Sequence, residues 1–124
     1  MSAAEDSDRK VADMVNISSV AGRVARQGSG VYNLTKWGVG AFSESLRQEL
    51  SGLHVRVSLV EPGATSTELS SHVRDEVRES MMERFAGIEL LEADDIADGI
   101  QYIVTRPRRV AVNELLIRPA EQAG

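Results

Sequence analysis

The stretch that decides the fold is residues 11–36, VADMVNISSVAGRVARQGSGVYNLTK. Its first part, Val11 to Ile17, is short and mainly apolar, which is typical of a strand buried on both faces of a sheet. The polar, glycine-rich segment that follows, as far as Gly30, predicts a loop. The stretch therefore begins with a buried strand and ends, after a loop, at the start of a helix.

A long helix is predicted over Val31 to Leu50. Apolar and small residues recur there at spacings of three and four, which predicts one face that packs closely on a sheet. Ser51 and Gly52 end the helix, and Gly52 is the expected left-handed cap. The residues assigned to the packing face are Leu34, Gly38, Ala41, Phe42, Ser45 and Leu46.

The rest of the chain continues the alternation of strands and helices. Val55 to Val60 predicts a second strand, closed by Pro62-Gly63, and Ala93 to Val104 predicts a helix with acidic residues in its first turn. Residues 65–86 are polar and Met-rich and predict one or two mobile helices, and Leu115 to Ile117 predicts a last short strand. This order predicts an α/β fold with a parallel sheet.

Two regions are expected along the chain. Residues 1–10 are predicted to be a flexible acidic tail, since they carry five charged residues and no large apolar residue after Met1. Residues 11–124 are predicted to form a single folded region. The chain has 124 residues, enough for one modest core.

Charge and composition exclude several classes of protein. The apolar fraction of 42% and the charged fraction of 27% are ordinary for a soluble domain. The net charge of −5 would repel a phosphate backbone, so no nucleic-acid partner is expected. The local basic cluster Arg106, Arg108 and Arg109 is predicted to cap the end of a helix.

Metal and membrane sites are not expected either. The chain has no cysteine, which excludes disulfides and zinc-thiolate sites, and His54 and His72 are isolated from ligand-spaced carboxylates. No apolar run reaches the roughly 18 residues that a membrane span needs, and the acidic N-terminus lacks the pattern of a signal peptide. We therefore expect a cytoplasmic protein without a metal.

Tyr32 and Lys36 are the residues whose pattern points to chemistry. They lie four apart at the start of the long helix, which places them on one face. A phenol has an ordinary pKa near 10, and a neighbouring cation favours the phenolate. The pair is therefore a candidate acid/base, although Tyr-x-x-x-Lys alone is also the pattern of an exposed helix edge.

The neighbours of this pair strengthen the functional interpretation. Ser19 lies thirteen residues before Tyr32 and follows a buried strand, at the sheet edge where open parallel sheets build their sites. Pro62-Gly63 closes the next strand at the same edge, followed by Thr65 and Thr67. Both Ser18 and Ser19 are also consistent with turn caps, and the spacing favours Ser19 as the functional hydroxyl.

Three ordered motifs carry a resemblance to a known family. They are Val15-Asn16-Ile17-Ser18-Ser19-Val20-Ala21-Gly22, Tyr32-Asn33-Leu34-Thr35-Lys36 and Glu61-Pro62-Gly63-Ala64-Thr65-Ser66-Thr67. The sequence resembles the short-chain dehydrogenase/reductase family. The ending Glu114-Leu115-Leu116-Ile117-Arg118-Pro119 is similar to a subgroup that includes NADP-dependent serine or 3-hydroxy acid dehydrogenases and clavulanate dehydrogenase.

The resemblance implies a role for each motif. Tyr32 would be the general acid/base, Ser19 would orient the substrate oxygen, and Lys36 would lower the pKa of Tyr32 and hold the nicotinamide ribose. Tyr32 and Lys36 would thus also contact the cofactor. The mobile, Met-rich stretch that follows the second strand would, as far as Met82, form a substrate lid. The implied reaction is hydride exchange between NAD(P) and a secondary alcohol or ketone, with NADP slightly favoured. The residues implied to line the cofactor are Pro62, Gly63, Thr65 and Thr67.

The same resemblance implies what this chain lacks. It matches the C-terminal half of a Rossmann-like doubly wound parallel sheet, and no Gly-x-x-x-Gly-x-Gly follows a strand, so we expect the N-terminal nucleotide-binding half to be absent. The 124-residue chain alone is then expected to bind cofactor poorly and to be inactive. The alternative is a truncated, non-catalytic remnant that acts as an interaction or structural protein.

An incomplete sheet predicts self-association. The strand Val11 to Ile17 would present an unpaired, apolar edge. A homo-oligomer, dimer or tetramer, is expected through this edge or through the Val31–Leu50 helix, where Trp37 is predicted to be an interface aromatic. The identity of the small-molecule substrate is not encoded in these motifs.

Overall fold

The computed structural model describes residues 3–67, 79 and 82–124. The helices whose bounds lie in these residues are α1 (Ala3–Asp6), α2 (Gly30–Leu50) and α3 (Ala93–Val104), and the strands are β1 (Ala12–Ile17), β2 (Val55–Pro62) and β3 (Glu114–Ile117). Residues 79 and 82–84 are also helical. Short 3-10 helices span Val20–Gly22 and Ser51–Leu53. Within this part of the chain, no helix is both long and apolar enough to cross a membrane.

The three strands form one parallel sheet in the order β1-β2-β3. The prediction of an α/β fold with strand, helix, strand, helix and strand is therefore confirmed. The bounds of α3 are those predicted, and those of α2, β1 and β3 differ from the prediction by one residue. Most of the predicted helical segment 65–86, including most of the predicted lid, lies outside the described residues.

Helices cover both faces of the sheet. Gly40 of α2 lies against Leu59, since a Cβ at Gly40 would be 3.7 Å from a methyl of Leu59. Gly99 of α3 lies against Leu115, which pairs in register with Val60. Because successive residues of a strand point to opposite faces, α2 and α3 pack on opposite sides of β2. This two-sided arrangement is the doubly wound pattern that the sequence predicts.

The core lies around β2, the central strand. Every residue from Arg56 to Thr65 is buried. The alternation of apolar and polar residues along β2 therefore does not indicate that one face of the strand is exposed. Arg56 is accommodated because its guanidinium donates to both carboxylate oxygens of Asp13, at 2.6 and 2.8 Å. It also donates to the carbonyls of Pro107 and Val110, so the buried charge is paired. The buried apolar residues are Ala4, Val11, Val57, Leu59, Val60, Ala64 and Ile103.

The strand β1 differs from its prediction in burial. It was expected to be buried on both faces, but Met14 is 39% exposed and Ile17 is 46% exposed. In the described part of the chain β1 pairs only with β2, so it is an edge strand. β1 therefore has the expected apolar edge. It lacks the continuous burial that a central strand of a parallel sheet would have.

The packing face of α2 was predicted wrongly. Leu34 is 73% exposed and Phe42 is 63% exposed, so the apolar stripe faces away from the sheet. The buried residues of the helix are Asn33 and Ser43, and Ser43 accepts a 2.9 Å hydrogen bond from Asn16 of β1. The spacing of apolar residues locates an apolar stripe on a helix. It does not distinguish a stripe that packs on the core from one that binds another protein, because both have the same spacing.

Two smaller expectations also change. The left-handed residue after α2 is His54, with a φ of 57°, whereas Gly52 lies inside a 3-10 turn. Residues 3–10, expected to be a tail, contain α1, whose Ala4 is 1% exposed. Arg9 donates to the carbonyls of Val104 and Arg106, which ties this segment to the end of α3.

The predicted basic cap on α3 is present in part. Arg106 donates to the carbonyl of Tyr102 in the last turn, as a C-terminal cap does. Arg108 instead donates to the carbonyl of Lys10.

Candidate active site

The candidate site lies where β1 and β2 end and α2 begins. In parallel strands the carboxyl ends meet at one edge, and Ser18 and Ser19 follow β1 while Gly63, Thr65 and Thr67 follow β2. The backbone of Ser18 donates to the carbonyl of Val60, a 2.7 Å bond that aligns the two strand ends. The predicted residues of both motifs therefore come from one edge of the sheet.

Tyr32 and Lys36 are brought together as predicted. They lie one turn apart on α2, and the ammonium nitrogen of Lys36 is 5.6 Å from the centre of the Tyr32 ring. Tyr32 is 43% exposed, so its phenol is accessible from solvent. The positive charge of Lys36 therefore lies near the Tyr32 ring, the proximity that the four-residue spacing predicts.

Ser19 and Ser18 have different partners. The hydroxyl of Ser19 accepts from the backbone N–H of Ala21 at 3.1 Å, so Ser19 does cap the 3-10 turn. A hydroxyl has one donor hydrogen and two acceptor positions, so this bond leaves its O–H able to donate. The hydroxyl of Ser18 donates to the carbonyl of Lys36 at 3.3 Å and thereby joins the end of β1 to α2.

Asn33 is a site residue whose role the sequence did not reveal. Its amide donates to the carbonyls of Ala21 and Val24 at 2.7 and 2.8 Å, and its oxygen accepts from the N–H of Arg26 at 3.4 Å. These bonds hold the loop after Ser19 against the helix that carries Tyr32. A polar residue directly beside the candidate tyrosine was a usable signal, but its hydrogen-bond partners are known only from the fold.

A second anchor of the same loop is Arg23. Its Nε donates to a carboxylate oxygen of Glu61 at 2.8 Å, and its guanidinium also bonds Glu114. Hydrogen bonding to Glu61 is the largest cause that raises the pKa of Arg23 above its usual value, and partial burial opposes it. The Glu61 side chain is 3% exposed, and its other oxygen is buried without a hydrogen-bond partner among the described residues. The loop is thus tied to the motif that ends β2.

Two glycines of this site lie close to neighbouring atoms. A Cβ at Gly22 would lie 3.0 Å from the Ser18 hydroxyl oxygen and 3.2 Å from the Lys36 carbonyl oxygen, so a side chain there would require the loop and α2 to shift slightly apart. A Cβ at Gly63 would lie 3.2 Å from the backbone Cα of Arg118 and 2.5 Å from the Gln122 amide oxygen, which is the end of a flexible side chain. Gln122 also accepts a hydrogen bond from the N–H of Ala64 at 2.9 Å, so the segment after β3 contacts the residues that follow β2.

The remaining predicted cofactor residues lie together at the end of β2 and directly after it. Pro62 is buried and pairs in register with Ile117. The hydroxyl oxygens of Thr65 and Thr67 are 3.2 Å apart; Thr65 is buried and Thr67 is exposed. Adjacent hydroxyls at the end of a parallel strand can hydrogen-bond a cofactor's amide or phosphate oxygens.

A family model described as short chain dehydrogenase matches residues 2–78. The chain belongs to the short-chain dehydrogenase/reductase family. Among curated relatives, an uncharacterized oxidoreductase of Staphylococcus saprophyticus is 38% identical over 118 residues, which are 93% of this chain and 47% of that protein. A serine 3-dehydrogenase of Agrobacterium fabrum is 34% identical over 110 residues, which are 89% of this chain and 44% of that protein.

Solved structures agree with this family assignment. Serine dehydrogenase from Escherichia coli matches with a TM-score of 0.70 and 28% identity, covering 90% of this chain and 42% of that one. The closed form of a serine dehydrogenase complexed with NADP+ matches with a TM-score of 0.76 and 28% identity, covering 90% and 46%. The chain therefore spans about half the length of these short-chain dehydrogenases.

Proposed function

We propose that this chain supplies the proton-transfer part of an NAD(P)-dependent oxidoreductase that interconverts a secondary alcohol and a ketone. The observation that carries the proposal is the Lys36 ammonium 5.6 Å from the centre of the Tyr32 ring, on a turn of α2 whose Lys36 carbonyl accepts a hydrogen bond from Ser18, the residue before Ser19. Tyr32 takes the alcohol proton during oxidation and returns it during reduction. Ser19 donates a hydrogen bond to the substrate oxygen and orients it.

A nicotinamide cofactor, when bound, supplies the hydride exchange. The donor set of this chain fits such a cofactor, because Lys36 can hold ribose hydroxyls and Thr65 and Thr67 present adjacent hydroxyls after β2. Pro62 and Gly63 would line the nicotinamide. The subgroup resemblance slightly favours NADP over NAD, and one solved relative is complexed with NADP+.

The chain's partners follow from its exposed apolar surfaces. Val31, Leu34 and Trp37 of α2 are 79%, 73% and 51% exposed, and Met14 and Ile17 leave an apolar edge on β1. We propose a homo-oligomer that buries one of these surfaces, with Trp37 as an interface residue. The comparisons do not favour the non-catalytic remnant, since the named relatives are oxidoreductases.

The proton-transfer chemistry can be tested without a cofactor. The chain has two tyrosines, so a Tyr102→Phe variant leaves Tyr32 as the one phenol in an ultraviolet titration. We expect Tyr32 to ionise below the usual pKa near 10, and Lys36→Met to raise its pKa by about one unit or more. A titration that Lys36→Met leaves unchanged would refute the pairing.

Activity gives the second test. Calorimetry with NADP and NAD on the purified chain measures cofactor binding, and alcohol-dependent NAD(P) reduction measures turnover. We expect weak binding, and any turnover should be lost in Tyr32→Phe and retained in Tyr102→Phe, the matched control on α3. Turnover that survives Tyr32→Phe would reject Tyr32 as the acid/base.

A further inference from the structure

One side of α3 carries a row of four side chains, the α3 stripe: Asp94, Asp98, Tyr102 and Arg106. They recur at every fourth position, so they follow one another along a single side of the helix. Arg106 lies just beyond the end of α3, and its central guanidinium carbon is 4.1 Å from the centre of the Tyr102 ring. The α3 stripe therefore begins with two carboxylates and ends with a phenol and a cation.

The α3 stripe faces solvent. Asp94 and Asp98 are exposed, and Tyr102 is 52% exposed. Within the described residues, neither aspartate forms an ion pair and the Tyr102 hydroxyl makes no hydrogen bond. The guanidinium of Arg106 donates to the carbonyl of Tyr102 and to the hydroxyl of Thr105, and in the same part of the chain it has no carboxylate partner. Charges of both signs are thus available on this surface.

Helix capping explains only the two ends of the α3 stripe. A carboxylate in the first turn and a cation after the last turn stabilise a helix, which accounts for Asp94 and Arg106. This effect is confined to the terminal turns, whereas Asp98 lies in the second turn. Aspartate is also a poor helix former, so its presence there has no local advantage. The middle of the α3 stripe therefore indicates a contact outside the helix.

The order of the side chains makes the α3 stripe complementary to itself. Asp94 and Arg106 lie six positions on either side of Ile100, and Asp98 and Tyr102 lie two positions on either side. A two-fold axis at the level of Ile100 brings each member of a pair opposite the other member in a second, antiparallel copy. Both pairs then form twice, as an isologous interface requires.

The opposed groups match chemically. The Asp94 carboxylate fits the paired N–H donors of the guanidinium of Arg106, and the Asp98 carboxylate can accept a hydrogen bond from the phenol of Tyr102. The Tyr102 ring adds apolar area to the contact. A parallel arrangement would instead place carboxylate against carboxylate and guanidinium against guanidinium. Repulsion of like charges thus selects the antiparallel arrangement.

We propose that the α3 stripe is an interface between two antiparallel copies of this chain. Exposed ion pairs stabilise little individually, so the charges fix the orientation and make the association sensitive to salt. Because α3 and α2 pack on opposite faces of the sheet, this interface leaves the outward face of α2 available. The inference does not rest on the proposed oxidoreductase function.

Charge reversal followed by mixing tests the interface. The full chain is prepared with Trp37→Ser and Phe42→Ser, which remove exposed apolar side chains of α2, and its association is measured by analytical ultracentrifugation. Asp94→Arg opposes two cations and Arg106→Glu opposes two anions, so each variant alone should associate about tenfold more weakly. An equimolar mixture of the two variants should regain the association, because each carboxylate then faces a guanidinium of the other copy.

Three results would overturn the proposal. They are a background chain that does not associate, association that neither reversal weakens, and a mixture that associates no better than the separate variants. Added NaCl should weaken the association of the background chain and of the mixture. A salt-independent association would also count against the α3 stripe.

The control changes the same charges elsewhere. Glu83 and Arg109 are exposed and lie outside the α3 stripe. Glu83→Arg and Arg109→Glu should therefore leave association nearly unchanged, and mixing them should add nothing. Weakening by Arg109→Glu equal to that by Arg106→Glu would mean that net charge, and not the α3 stripe, governs association.

Neutral variants decide the question if a charge reversal does not fold, which circular dichroism detects. Asp94→Asn and Asp98→Asn keep the shape of each side chain and remove its charge. Each should weaken association and reduce its dependence on salt. Unchanged association in both neutral variants would overturn the proposal. None of these measurements uses a cofactor or the Tyr32 titration, so this inference and the proposed function fail or succeed separately.

Discussion

The polarity of the two faces of α2 is the reverse of that in an ordinary amphipathic helix, whose apolar face is buried. The face on the sheet is small and polar, with Asn33, Gly40 and Ser43, whereas the outward face is apolar, with Leu34 and Trp37. The inward face gains its stability from hydrogen bonds and a close backbone approach to β2. The outward face is an apolar surface of the kind that proteins use for association.

The largest expected effect is on the inward face, at Asn33. Asn33→Ala removes the donors to the carbonyls of Ala21 and Val24 and should lower the free energy of unfolding by about 3 kcal/mol, since both carbonyls lose a partner. Urea denaturation measures the change. Thr35→Ala is the control, because Thr35 is exposed and bonds only the local carbonyl of Tyr32 in the described structure. Equal losses in both variants would show that the inward contacts do not matter.

A smaller loss is expected from crowding the same face. Gly40→Leu places a large side chain where even a Cβ would be 3.7 Å from Leu59, and should cost about 2 kcal/mol of stability after the gain in helix propensity. Gly38→Leu is the matched control, because a Cβ at Gly38 meets nothing within 4 Å. We expect Gly38→Leu to be neutral or slightly stabilising in the same urea experiment. A larger loss at Gly38 would reverse the assignment of the two faces.

The smallest effect on stability is expected on the outward face. Trp37→Ser and Phe42→Ser remove exposed apolar side chains, so each should change the free energy of unfolding of the monomer by less than about 0.5 kcal/mol. They should instead reduce self-association, measured by analytical ultracentrifugation. If association is unchanged in both variants, the β1 edge becomes the candidate interface, with Met14→Lys as its probe.

Much of the fold was predictable from local patterns. The alternation of strands and helices predicted a parallel α/β sheet, and α3 has the predicted bounds. The spacing of Tyr32 and Lys36 predicted their proximity, because residues four apart on a helix lie one turn apart. These features depend on short-range geometry, which the order of residues encodes directly.

The loop anchors could not be predicted in the same way. Arg23 and Glu61 are separated by 38 positions, and the amide of Asn33 bonds the carbonyls of Ala21 and Val24 in a loop that no periodic pattern connects to it. The polar residues involved are ordinary surface types, and only their convergence makes them anchoring groups. The roles of Ser19, Tyr32 and Lys36 in catalysis stay predictions that the titration and the activity assay address.

The sequence by itself determined the class of sheet, the family and the proximity of Tyr32 and Lys36, because periodicity and motif spacing act over a few residues. The tertiary structure alone decided that Asn33, and not Leu34, is buried, where it bonds the loop that follows β1. It also decided that Arg56 is buried and that its charge is paired with Asp13 of β1. The physical reason is that burial and charge pairing depend on which segments the sheet brings together, and a helix stripe has the same spacing whether it meets a core or a partner.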